Sequence, residues 1–215
     1  MKFPNESKQY RSARDKLLQA EVELRRQVEA VAAQRRKLPA GGEVPEDYVF
    51  ESEKGPVRLS QLLENGNTLV AYSFMYGPKM AKACPMCTSM LDALDGNAQH
   101  VAQRTNLVII AKSPLPRILE HARSRGWSNL KLLSSEKNNY NRDYHGETPD
   151  GGQMPILNVF RKDQAVRHYY ATELLFAKDE PGQNARHVDP IWPLWNLLDF
   201  TPEGRGKDWY PKLTY

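Results

Sequence analysis

Cysteine is scarce in this chain, with two residues among 215. Two cannot form the multi-bridge framework that holds small secreted scaffolds together, so that class is excluded. Long hydrophobic runs are missing too. The longest apolar stretch, Leu107 to Ala111, is five residues, whereas a membrane-crossing helix needs about 20. The opening segment, MKFPNESKQYRSARDK, has no apolar core of the kind an export signal needs. These absences predict a soluble, cytoplasmic protein with no membrane partner.

Other fingerprints are lacking as well. No glycine-rich dinucleotide motif appears, so no bound nicotinamide or flavin cofactor is expected. A structural zinc site needs four ligands; there is no second cysteine pair, and His100, His121, His145, His168 and His187 are scattered without ligand-like spacing. A zinc shared between two chains is the form of metal binding this pattern leaves open; no metal site is expected within one chain. The net charge is +4, but residues 1–40 hold ten Lys and Arg against five Asp and Glu, which leaves −1 for the rest. Basic character belongs to the N-terminal segment, and nucleic-acid binding wants it on the folded body. No nucleic-acid partner is expected.

What is present begins with a long helix over residues 7–38. Tyr10, Leu17, Leu24, Val31 and Leu38 recur every seven residues, Ser7 is a suitable cap, and Pro39 with Gly41-Gly42 ends the segment. Glu21 precedes Arg25 at the favourable i, i+4 spacing. The narrow stripe predicts a helix that docks on something: its own domain, or a second copy in a homodimer. The sequence divides accordingly into an extension, 1–42, and a domain, 43–215.

After Gly42 the pattern alternates between strands and helices. Tyr48 to Phe50 and Val57 to Leu59 read as a hairpin, and Thr68 to Phe74 as a buried central strand. A loop from Met75 to Ala83 leads to a helix starting at or near Cys84. Asn106 to Ala111 and Leu130 to Leu133 are further strands, flanking a helix from Pro114 to Arg125. Ile156 to Phe160 and Ala165 to Tyr170 form a final strand pair, and Pro190 to Leu198 a closing helix that Pro193 limits. The fold class is α/β, a sheet with helices on its faces.

The two cysteines stand together as Cys84-Pro85-Met86-Cys87, at the carboxyl end of the central strand, where open α/β sheets place their active sites. Spacing of i, i+3 lets the sulfurs meet. The first sits against unpaired N–H groups and the positive end of the helix dipole, which stabilise a thiolate. Lys79 and Lys82 lie just upstream and could add positive potential. Cys84 is the expected nucleophile and Cys87 the resolving thiol. Three competing readings are an inert thiol pair in a binding module, the shared zinc, and a thiol peroxidase. Against the last, Ala81 stands where a peroxiredoxin carries Thr or Ser.

With these residues in hand, the chain resembles the thioredoxin-like family catalogued as domain of unknown function 899, described as predicted dithiol-disulfide oxidoreductases. The similarity is carried by Gln34 to Pro39, Glu46 to Phe50, Tyr72 to Pro78, Cys84 to Cys87, Leu94-Asp95-Gly96, Gly126-Trp127 and Leu198 to Arg205. It implies thiol–disulfide exchange on a thiol or disulfide substrate, protein or small molecule. It also implies a cis-proline facing the dithiol, at Pro155, with the Met154 backbone pairing with substrate. Two positions depart from the pattern. Ala83 replaces the glycine before the first cysteine, and Tyr72 and Ser73 occupy the region where thioredoxin has a buried carboxylate.

Overall fold

The computed structural model describes residues 1–63, 66–178, 180–206 and 209–214. It divides into two compact units, Met1–Ala40 and Gly41–Tyr215. The first is built on one helix, α1 (Lys8–Arg36), capped where the Ser7 hydroxyl accepts from the Tyr10 amide at 3.0 Å. No residue of α1 is buried. Its apolar stripe is open, with Leu24 64% exposed, and Arg11–Asp15 and Arg26–Glu23 pairs lace its polar faces. Glu21 lies 3.9 Å from Arg14, two turns back, in place of the expected Arg25.

The second unit is a mixed seven-stranded sheet. Its strands are β1 (Val49–Ser52), β2 (Gly55–Arg58), β3 (Thr68–Ser73), β4 (Asn106–Ala111), β5 (Leu132–Ser134), β6 (Ile156–Lys162) and β7 (Val166–Ala171). They lie in the order β2-β1-β5-β4-β3-β6-β7. The centre is the parallel run β5-β4-β3, continued by antiparallel β6 and β7. The β1–β2 hairpin joins the far edge through one antiparallel pair, Glu51 with Ser134. Helix α2 (Pro85–Ala102) connects β3 to β4, and α3 (Leu115–Arg125) connects β4 to β5. A short α4 (Tyr140–Asp143) lies in the polar stretch before β6, and α5 (Pro193–Leu198) comes near the end. This is the thioredoxin-like arrangement that the sequence implied.

Alternation along the strands builds two cores. Leu69 and Ala71 of β3 and Val108 and Ile110 of β4 face a cluster with Tyr48, Phe50 and Tyr140. Tyr72, Ile109 and Ala111 face the opposite cluster, which holds Cys87, Met90, Leu91, Ile118 and Trp192. The expected closing helix is broken: Asp189–Ile191 is a 3₁₀ turn, and α5 starts at Pro193 because proline suits a first turn and no later one.

Several quoted motifs have structural work to do. Gly126 ends α3 at φ 74°, a left-handed conformation that favours glycine. The Trp127 indole that follows donates to Asp92 at 2.8 Å. Arg205 binds both Asp189 and Asp199, tying the last stretch to the turn before α5. Asp95 on α2 is buried and accepts from the amides of Ser128, Asn129 and Leu130, which lead into β5. Asp95→Ala removes a buried charged acceptor and takes away the partner of the Ser128, Asn129 and Leu130 amides. We expect a loss of about 2–3 kcal/mol in denaturant-unfolding stability; a loss below about 0.5 kcal/mol, the level of ordinary surface changes, would contradict this account.

Candidate active site

The site is built where β3 runs out. The Cys84 amide donates to the Met75 carbonyl at 3.1 Å, closing the loop between them. Arg117 of α3 pins that loop from behind: its guanidinium donates to the Gly77 carbonyl at 3.2 Å and to the Met80 carbonyl, and lies 4.3 Å over the Tyr76 ring. At Gly77 any Cβ would come within 2.7 Å of the Gln153 side chain, so only glycine fits.

Cys84 is the N-cap of α2, with extended backbone (φ −63°, ψ 123°), and Pro85 takes the first helical position. Its sulfur accepts from the Cys87 amide at 3.5 Å. Its carbonyl accepts from the Thr88 amide and from the Thr88 hydroxyl, at 3.0 and 2.9 Å. The Cys84 thiol is lowered to about 6, chiefly by a hydrogen bond from the Cys87 thiol and further by the Cys87 and Met86 amides, against the opposing effect of burial. Lys79 and Lys82 are exposed, and neither is among these causes. The Cys87 thiol, helped by the amides of the helix end, does the work expected of them.

Cys87 differs in every respect. It is 2% exposed against half-buried Cys84, and burial pushes its thiol well up, with the neighbouring Cys84 adding to the rise. The Tyr72 hydroxyl, also buried, donates to the Cys87 sulfur at 3.3 Å and acts in the opposite direction. Burial holds Tyr72 itself well above the ordinary tyrosine range, so it is a neutral donor. Thr88 continues the polar contacts outward, its hydroxyl lying 3.1 Å from His121 Nε2. Burial lowers His121, and its ring sits against Phe74 and Trp127, with centroids 5.8 and 5.4 Å away. Ala83 is buried in the same cluster as Cys87.

The expected cis-proline is corrected. No peptide bond among the described residues is cis, so Met154–Pro155 is trans. The reason lies in the preceding loop. Glu147 bridges Gln153 in antiparallel fashion and the Met154 amide donates to Gly146 at 3.0 Å, which delivers the chain to β6 in extended form. Trans is also the lower-energy isomer, by about 0.5–1 kcal/mol. The Ser73–Ile156 register sets Met154-Pro155 just past the carboxyl end of β3, on the edge where α2 begins.

Sequence reasoning brought Cys84 and Cys87 together correctly but missed Thr88, His121 and Arg117, which carry no motif. Tyr72 was noted only as a missing carboxylate. Its parity on β3 was the available signal, since position 72 shares a face with 70 and 74. A cavity of about 220 Å³ opens beside Met86, walled by Val188, Trp192, Trp195, Trp209 and Tyr210. Among the described residues, no three His, Cys, Asp or Glu side chains cluster as metal ligands, and no helix is long and apolar enough to cross a membrane.

Among solved structures, the chain is similar to the peroxidoxin BcpB from Mycobacterium tuberculosis, at 18% identity and a TM-score of 0.49 over 73% of this chain and 95% of that one. It is similar to Plasmodium vivax 2-Cys peroxiredoxin at 18% identity and a TM-score of 0.47, over 74% and 96% of the two chains. The exposed lipoprotein thioredoxin Etrx1 of Streptococcus pneumoniae gives 13% identity and 0.43, over 69% and 99%. No curated protein matches the sequence. The model of the family described as "Bacterial protein of unknown function (DUF899)" matches residues 1–215, and the chain belongs to that family.

Proposed function

We propose that this protein carries out thiol–disulfide exchange through Cys84 and Cys87. The observation that carries the reading is the contrast between the two sulfurs. One is half-buried and favoured as a thiolate by the hydrogen bond from the Cys87 thiol and by the helix amides; the other is buried, neutral and hydrogen-bonded behind it. Cys84 thiolate attacks a substrate disulfide, forming a mixed disulfide and expelling one substrate thiolate. Cys87 then attacks the Cys84 sulfur, closing the Cys84–Cys87 disulfide and releasing the second substrate thiol. Two electrons pass to the substrate, and a thiol donor must return them. A cytoplasmic setting, with its reducing thiol pool, suits this direction.

Substrate is received over the edge formed by Met154 and Pro155. Because the Met154 amide is already bonded to Gly146, an extended substrate segment pairs through the Met154 carbonyl. The cavity beside Met86, walled by tryptophans and also by Arg186, His187, Asp189 and Arg205, is sized for a side chain flanking the substrate cysteine, which favours a protein substrate. The exposed heptad stripe of α1 supports association with a second copy through that helix.

Two measurements test the reading. Iodoacetamide labelling of Cys84 should rise with pH through a midpoint near 6, because thiolate forms above its pKa and is lost below it. Cys87 should label far more slowly throughout; labelling of Cys87 first reverses the assignment. In exchange assays Cys84→Ser should abolish activity, whereas Cys87→Ser should attack once and accumulate the mixed disulfide. Redox titration of the native protein should give one reversible two-electron transition. Two thiols that never pair would leave only a binding module.

A further inference from the structure

We propose that Tyr72 is the positioning residue of the resolving step, its hydroxyl stabilising the Cys87 sulfur as Cys87 turns on the mixed disulfide. This rests on the exchange reading above and extends it to a residue outside the Cys84–Cys87 motif.

The resolving thiol has a difficulty that the nucleophile does not share. Cys84 has helix amides around it. Cys87 lies a turn deeper, where the effect of the helix terminus has largely fallen off, and it is packed among Met90, Leu91 and Trp192. To attack, it must carry negative charge in a setting that disfavours charge. A buried carboxylate could accept its proton, but none stands on this face of β3. What β3 offers is the Tyr72 hydroxyl, 3.3 Å from the Cys87 sulfur and donating to it. Tyr72 is too strongly held in its neutral form to take a proton away. It acts as a donor, strengthening its bond as charge gathers on sulfur. The hydrogen bonds run in one direction, from Tyr72 to Cys87 and from Cys87 to Cys84. In the mixed disulfide the Cys84 thiolate is gone, and the Tyr72 contact remains to support the second charge. The Cys87 proton leaves with the departing substrate thiolate, so the step conserves atoms and electrons.

The register explains why no other residue can substitute. Tyr72 pairs with Leu157 on β6 and with Ile109 on β4, both apolar neighbours. The ionisable groups acting on Cys87 are Cys84 and Tyr72.

Reaction of the reduced full-length protein with 5,5′-dithiobis(2-nitrobenzoate) separates the two steps. Attack by Cys84 releases a first nitrothiobenzoate, and closure by Cys87 releases a second, each visible by absorbance. In Tyr72→Phe the first phase should stay within about twofold, while the second slows about tenfold, the effect of losing about 1.4 kcal/mol of hydrogen bonding to a charged group. The pH profile of the second phase should also move upward, which a packing role alone would not cause. An unchanged second phase, or two phases slowed equally, overturns the assignment of Tyr72. Native protein that releases one equivalent and stops overturns the exchange reading itself, a result that Tyr72→Phe cannot mimic while its slow phase runs to completion.

Discussion

The buried Asp95 carboxylate is the constraint on which the arrangement of the body depends. From the middle of α2 it gathers the amides of residues 128–130, the segment that enters β5. A helix packed on a sheet by apolar contacts alone can slide along it by a fraction of a turn. One fixed to backbone amides at a buried carboxylate cannot, because sliding would strand an unpaired charge. With its middle held, α2 must present its first turn at the end of β3. The Cys84–Met75 bond, the Thr88 contacts and the reach from Tyr72 to Cys87 all presuppose that placement.

Polarity along the β3–α2 unit is graded. Cys84 stands at the rim with backbone donors, Thr88 and His121 beside it, and Cys87 and Tyr72 beneath in an apolar core. The same thiol side chain therefore behaves in opposite ways three residues apart. Position relative to a helix end and to solvent decides it, and nothing in the side chains themselves does. Loop bracing adds to this: Arg117 crosses from α3 to bind carbonyls of the approach loop, so Cys84 rides on a braced support.

Local signals made much of this legible. Nearly unbroken apolar runs marked β3 and β4, and a proline after Cys84 marked the helix start. What stayed hidden depends on pairs distant in sequence. Thr88 meets His121 across 33 residues and Arg117 reaches Gly77 across 40. No period or spacing encodes such contacts, which arise only when two helices share one face of a sheet. The trans Pro155 teaches the same lesson differently. Family likeness suggested the isomer, but the hairpin-like loop from Gly146 to Met154 determines how the chain arrives.

Burial of Cys87 behind Cys84 also bears on damage. Peroxide and other oxidants from solvent can meet only the outer sulfur, so sulfenic acid forms there first. The inner thiol is hydrogen-bonded to the outer one and can condense with its sulfenic acid, expelling water before a second oxidation makes the lesion irreversible. The pair thus has its own safeguard, and the sulfur that reaches solvent is the one that can always be rescued.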